Sequence, residues 1–325
     1  MGRLNSEALS ARWRTDDGAA LAEEAVARLV AGRGLAGLGL GEHEGRVDLR
    51  CLPAPVSGRL RRFEGTGRFV EVPGDLVNLR GVSLAGLDLS GAVLPSLRLF
   101  GVRIEGCRLD GASCRDWRMW GTTVADSSFA GADLRGSVVG SWHEGRRNEW
   151  RRVDFQGADL RHAVSWAALF EDCDFARARL DSVRFEQCAL ARCRFSGSLR
   201  RVAFDGRELP DRAAPSPLHG VDFRAARFEQ VEFLGCKLDR AILPEDPDLE
   251  LIPHYRCVVE RSLALLEGDG SLEARMLRAE FTNALRMMRA ADEDFVFNRR
   301  DYRGRDEGLL RLAEDVYRRA QAACR

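Results

Sequence analysis

Leu79-Arg80-Gly81-Val82-Ser83-Leu84-Ala85-Gly86-Leu87-Asp88-Leu89 opens a run with an apolar residue at every fifth position. The run is Leu79, Leu84, Leu89, Leu94, Leu99, Ile104, Leu109, Cys114, Met119, Val124, Phe129, Leu134 and Val139. A helix repeats its buried face about every 3.6 residues and a strand about every 2, so a period of about five implies a chain that turns a corner once per unit. With 45% of the chain apolar, thirteen consecutive hits arise by chance roughly three times in a hundred thousand per frame and starting point.

The spacing resumes at Phe155, Leu160, Ser165, Phe170, Phe175, Leu180, Phe185, Leu190 and Phe195, and again at Phe223, Phe228, Phe233, Leu238 and Leu243, with a stray unit at Val202 and Phe204. Two residues before most of these centres lies a smaller one, such as Val153, Ala158, Ala163, Cys173, Cys188 or Cys193. Residues at i and i−2 share one side of an extended segment, so both sets point into one interior and the residues between them face water. Four such segments make a square coil of about twenty residues, stacked on the next at ~4.8 Å. The units counted predict about seven coils, a rod roughly 34 Å long.

The pattern resembles the pentapeptide-repeat family, whose units read roughly Ala-Asp/Asn-Leu-x-x. Ala132-Asp133-Leu134-Arg135-Gly136 and Ala158-Asp159-Leu160-Arg161-His162 carry the resemblance most closely, and it extends over residues 77–243. It implies a mainly β fold, a right-handed quadrilateral β-helix. Leu87, Leu97 and Trp117 stand where the family prefers Ala, and Arg98, Arg103, Arg108, Arg118, Arg184 and Arg194 where it prefers Asp or Asn.

A solenoid needs caps at both ends, and the flanks supply candidates. Residues 1–74 read as an N-terminal α/β cap. Ala20, Leu21, Ala25, Val26, Leu29 and Val30 form a helical stripe behind Thr15, Val47-Asp48-Leu49-Arg50-Cys51 looks like an isolated repeat unit, and Arg59–Val72 alternates weakly. Residues 75–243 are the solenoid. Beyond Pro244, Pro247 and Pro253, helical spacing predicts a C-terminal α-helical bundle over 244–325, its three stripes led by Tyr255, Leu277 and Leu309, with Ser271 and Asp306 as N-caps and Met276, Met287 and Met288 as core filling. Two insertions, 140–152 and 206–220, are expected to leave the rod as loops.

The cysteines and glycines invite a search for chemistry. The repeat accounts for six of nine cysteines: Cys107, Cys173, Cys188, Cys193 and Cys236 at the small site and Cys114 at a centre. Zinc-type spacing is missing, and His43, His143, His162, His219 and His254 are dispersed outside any nucleophile motif. Gly32-Arg33-Gly34-Leu35-Ala36-Gly37 matches a dinucleotide fingerprint, but it follows a helix, where the fingerprint requires a strand. The reading is therefore a non-enzyme with no cofactor and no metal.

Charge narrows the partner. The chain has 50 basic and 50 acidic residues, and residues 75–243 hold 25 and 23, so neither direct nucleic-acid binding nor membrane attachment is expected. With no signal-peptide pattern and no long apolar run, the expected location is cytoplasmic. The first function read is a non-catalytic protein–protein interaction scaffold. Its candidate partner-binding residues are Trp120, Trp142, His143, Arg146, Arg147, Trp150 and Trp166, since exposed Trp and Arg on rigid scaffolds make hot spots. The alternative comes from the resemblance: some pentapeptide-repeat proteins imitate DNA, bind type II topoisomerases such as gyrase, confer resistance to gyrase inhibitors, and form homodimers through a solenoid end. A contiguous acidic face would mark that second case.

Overall fold

The computed structural model describes residues 3–54, 59–64, 68–73, 77–207, 218–288, 293–303 and 307–324. Short parallel strands build four faces. On the first face Leu79, Leu99, Met119, Val139, Ser165, Phe185, Phe204 and Phe233 lie in register from coil to coil. The second face stacks Leu84, Ile104, Val124, Trp150, Phe170 and Leu190. The third pairs the coils of Leu89, Leu109, Phe129, Phe155, Phe175, Phe195 and Phe223, and the fourth those of Leu94, Cys114, Leu134, Leu160 and Leu180.

Four centres extend the count made from spacing. Leu49 joins the third face through its amide on Asp88 O at 2.9 Å, and Trp150, Leu199 and Leu218 are buried where the regular spacing lapses. Leu199 comes four residues after Phe195, because the strand Arg194–Arg200 runs on across a corner and pairs with Asp222–Glu229 through a register shift. The rod is therefore nearer eight coils than seven.

Corners are made two residues after most centres by a left-handed residue, glycine at Gly81, Gly101 and Gly121 and a polar residue at Asp116, Asp126 and His162. Inside, aromatic rings stack along the axis. Phe155, Phe175, Phe195 and Phe223 lie 4.9, 4.8 and 5.1 Å apart in succession, near-parallel, so each coil's large residue rests on the next.

The small i−2 site has a second function. Its side chain reaches the carbonyl of a centre residue one coil earlier: Cys107 Sγ donates to Leu84 O, Cys173 Sγ to Trp150 O, Cys193 Sγ to Phe170 O, Thr122 Oγ1 to Leu99 O and Trp117 Nε1 to Leu94 O. Cysteine thus serves as a small hydrophobe with a weak donor, and burial pushes the Cys193 and Cys114 thiols up.

At the amino-terminal end the helix Asp16–Val30 starts where Thr15 Oγ1 accepts from Gly18 N, and buries Ala22 and Ala25 in the solenoid's own core. Trp13 Nε1 donates to Arg50 O at 2.9 Å. Burial raises the Asp48 carboxyl, but ion-paired hydrogen bonds from Arg50 and Arg12 outweigh it and hold the group well below the usual range. Arg59–Glu64 and Arg68–Pro73 pair as an antiparallel hairpin. The helix Asp16–Val30, not a strand, leads into Gly32, so the glycine pattern there is a helix exit.

The carboxy-terminal region forms helices Tyr255–Leu265, Leu272–Met287, Arg299–Tyr302 and Glu307–Ala323 around a separate core of Ile252, Val259, Leu277, Phe281, Val316 and Tyr317. Ser271 Oγ accepts from Ala274 N; Asp306 lies outside the described residues. Two features differ from the sequence reading. Leu249–Ile252 pairs antiparallel with Phe295–Asn298, and of the three methionines only Met288 is buried, Met276 and Met287 pointing outward.

The segment between the helices Leu272–Met287 and Glu307–Ala323 hydrogen-bonds to the last coil. Glu293 accepts from Gly235 N (2.6 Å), Asp294 from Leu238 N (2.8 Å) and Asp301 from Gln230 N (3.1 Å), while Asn298 Nδ2 donates to Phe228 O (3.1 Å).

A disulfide joins Cys257 in the first of these helices to Cys324 after the last, across 67 residues of sequence. Cross-linking a loop of that length restricts the unfolded chain, so reduction is expected to lower the stability of the helical region by about 2–4 kcal/mol. Thermal melting of the wild type with and without a phosphine reductant measures this. The Cys257→Ser variant should melt where the reduced wild type does, and reductant-insensitive melting of the wild type would refute the assignment.

Candidate functional site

A six-residue hairpin leaves the rod at the corner between the first and second faces. Trp142–His143 pairs antiparallel with Arg146–Arg147 across Glu144-Gly145, both with positive φ, the two-residue turn that matches strand twist. It folds back towards the amino-terminal coils. Together with the corner glycines Gly81, Gly101 and Gly121 it encloses a groove of about 560 Å³ whose charged and aromatic walls are Trp142, Arg146, Arg147, Arg103 and Glu149.

The insertion is shorter than the sequence suggested. Residues 149–151 are not loop but a strand of the second face, and Trp150 is wholly buried at its centre, its Nε1 donating to Val139 O at 2.9 Å. Trp150 is therefore a core residue that no partner can touch. Its unit, Asn148-Glu149-Trp150-Arg151-Arg152, follows the repeat with Asn148 in the small site. Of the second insertion, residues 208–217 lie outside the described set, and Leu218 is already back in the core.

The remaining candidates divide into two places. Trp142 is 37% exposed, with the Arg147 guanidinium 5.7 Å from its ring centroid; Arg146 and His143 are exposed on the same hairpin, the latter 3.7 Å from Glu144. Trp120 and Trp166 point outward from the first face and are not among the residues lining the groove. Trp120 stacks on Phe100 at 4.4 Å, and Arg80 lies 4.0 Å over that ring. Arg103, on a coil forty residues earlier in sequence than the hairpin, went unnoticed because only the stacking of coils brings it to the groove.

Elsewhere on the rod most arginines are ion-paired, Arg80, Arg177 and Arg201 being the exceptions among the described residues, and Arg80 lies over the Phe100 ring. Arg135 and Arg161 bind Asp133 and Asp159 on the fourth face, and Asp126–Arg152 and Asp172–Arg192 form a zipper down one corner at 2.6 and 2.7 Å. The two corner pairs are exposed and each adds little stability. Arg103, Arg146 and Arg147 make no ion pair among the described residues, whereas Glu149, the acid in the groove wall, is held by Arg151 at 3.2 Å.

Across the described residues no face carries an uninterrupted acidic row. The third face comes nearest with Asp110, Asp154 and Asp174. There burial and then its two acidic neighbours push the Asp154 carboxyl up, yet Arg108 and Arg194 bracket the patch. No group of three or more His, Cys, Asp or Glu that could hold a metal is present among the described residues, and none of their helices is long and apolar enough to cross a membrane.

Stacked five-residue units of this kind define a solenoid of repeats. Residues 76–113 and 166–197 match the family model described as pentapeptide repeats, in eight copies, so these segments are pentapeptide repeats. No curated protein matches it significantly. Among solved structures it is similar to a trypsin-treated variant of QnrB1, a plasmid-mediated fluoroquinolone resistance protein: 19% identity, 52% of this chain and 83% of that one, TM-score 0.36. It is also similar to HetL, a pentapeptide repeat protein involved in heterocyst differentiation regulation from the cyanobacterium Nostoc: 14% identity, 62% and 92% coverage, TM-score 0.33. At these scores neither likeness carries a functional argument.

Proposed function

We propose that the chain is a non-catalytic scaffold whose rigid coil presents the hairpin groove to a protein partner, with the flanking segments 1–74 and 244–325 closing the two ends of the rod. The observation that carries the reading is the contrast in charge pairing: arginines along the rod are largely matched to carboxylates, while the three around the groove are left for something else. Trp142 beside them adds an apolar anchor of the kind found at binding hot spots. Trp120 and Trp166, with Phe100, form a second apolar strip on the neighbouring face that would broaden the contact.

The test is affinity capture from cell lysate with the wild type, with Trp142→Ala/Arg146→Ala, and with Arg135→Ala/Arg161→Ala on the fourth face. The first pair of substitutions should abolish the captured species without shifting the melting temperature, and the second should leave capture intact. Retention by the groove variant would sink the reading. The topoisomerase-mimic alternative draws no support from the mixed faces. On the scaffold reading the purified protein leaves gyrase supercoiling unchanged, with or without a quinolone.

A further inference from the structure

We propose that the hairpin groove takes an extended acidic segment of a protein partner, its carboxylates held by Arg103, Arg146 and Arg147 and its apolar side chains laid against Trp142. The proposal rests on the reading of the groove as a partner site and adds the partner's chemistry.

Charge is the first argument. In a chain of zero net charge, this corner gathers three guanidinium groups without ion pairs against one carboxylate, Glu149, already engaged by Arg151. Glu144 stands at the hairpin tip beside His143 and is not part of the groove wall. Guanidinium forks recognise carboxylates by paired, charge-assisted hydrogen bonds.

Shape is the second. The corner glycines Gly81, Gly101 and Gly121 stack over two coil steps, about 10 Å, the length of about three residues of extended chain. They offer no side chain at the groove floor, and a Cβ built on Gly81 or Gly101 would meet nothing within 4 Å, so a peptide backbone can lie along it. Nucleic acid fits less well, because phosphate tracking needs a basic surface well beyond such a short groove, and most arginines beyond it are paired with carboxylates.

The experiment is fluorescence anisotropy of the full chain at low salt with a fluorescein-labelled heptapeptide of alternating Glu and Val. Parallel arms use the same peptide with Gln for Glu and an oligothymidylate of equal length. Saturable binding of the Glu peptide is expected. Arg146→Ala and Arg147→Ala should each weaken it about tenfold, Arg135→Ala should leave it unchanged, and a 5-fluorotryptophan resonance assigned to Trp142 should shift on titration. Equal binding of the Gln peptide, tighter binding of the oligothymidylate, an equal loss with Arg135→Ala, or no saturable binding overturns the proposal. If capture from lysate depends on the groove but the Glu peptide does not bind, this proposal fails alone. If the groove variant retains capture, the scaffold reading fails whatever the peptide does.

Discussion

Trp150→Ala is expected to lower the unfolding free energy by about 3–5 kcal/mol, whereas Trp142→Ala should change it by less than about 0.5 kcal/mol. The two tryptophans lie eight residues apart in the same polar stretch, and only their placement separates them. Trp150 is fully buried and touches Phe129, Phe155 and Phe170 at ring-centroid distances of 5.7, 5.2 and 6.2 Å. Removing the indole leaves a cavity between neighbouring coils, strips Val139 O of one donor, and breaks the aromatic column midway. Trp142 gives up one half-exposed ring and a loose contact with Arg147. Guanidinium unfolding monitored by far-ultraviolet circular dichroism compares the two. Similar midpoints would show that Trp150 does not pack as described. A broadened transition for Trp150→Ala is the expected accompaniment, because a solenoid is held by nearest-neighbour interfaces and a weak one uncouples its two halves.

Spacing made the fold legible because a five-residue period holds each centre to the same inward direction, whatever apolar residue occupies it. It failed where the period changed. Trp150 follows Val139 by eleven residues and Leu199 follows Phe195 by four, so both dropped out of frame even though each is a centre. Asn148 in the small site compounded the first error, since a polar residue there looks like loop. The clue was available in Thr122, Ser127 and Ser137, polar residues that occupy the same site within the regular run and are buried. The Glu144-Gly145 turn, framed by two-residue strands, was likewise readable as a hairpin. What no spacing rule could supply was the groove. Arg103 and Arg146 belong to different coils, and their approach depends on how far the hairpin leans back. The helical tail was legible as stripes, but the way Glu293, Asp294, Asn298 and Asp301 meet the last coil depends on tertiary placement that carries no local pattern.

Asn148→Asp, isosteric with the native residue, is expected to cost about 3–4 kcal/mol at pH 7 and to recover most of that loss as the solution is acidified towards pH 4. Asn148 is fully buried. Its Oδ1 accepts from Thr122 N at 3.0 Å, and its Nδ2 donates to Met119 O at 3.0 Å and Val139 O at 3.2 Å. Regular coils meet a smaller version of this need with a hydroxyl: Ser127 Oγ accepts from Cys107 N and donates to Ala125 O, and Ser137 Oγ accepts from Trp117 N and donates to Cys114 O. At the hairpin's exit two carbonyls, Met119 O and Val139 O, take a donor, and the amide supplies both bonds besides its acceptor. A carboxylate keeps the acceptor for Thr122 but turns its second oxygen on two carbonyls, with no cation paired there among the described residues. Burial and the facing carbonyl dipoles both raise its folded-state pKa above the unfolded value of about 3.9. Such a group destabilises the fold fully above the raised pKa. The deficit shrinks by about 1.4 kcal/mol per pH unit as pH falls between the two values, because the protonated form again donates to a carbonyl. Chemical unfolding of variant and wild type at pH 7, 6, 5 and 4 reads this directly. A pH-independent difference would mean that the introduced group escapes to solvent, so that the chain's exit into the hairpin is not sealed by Asn148.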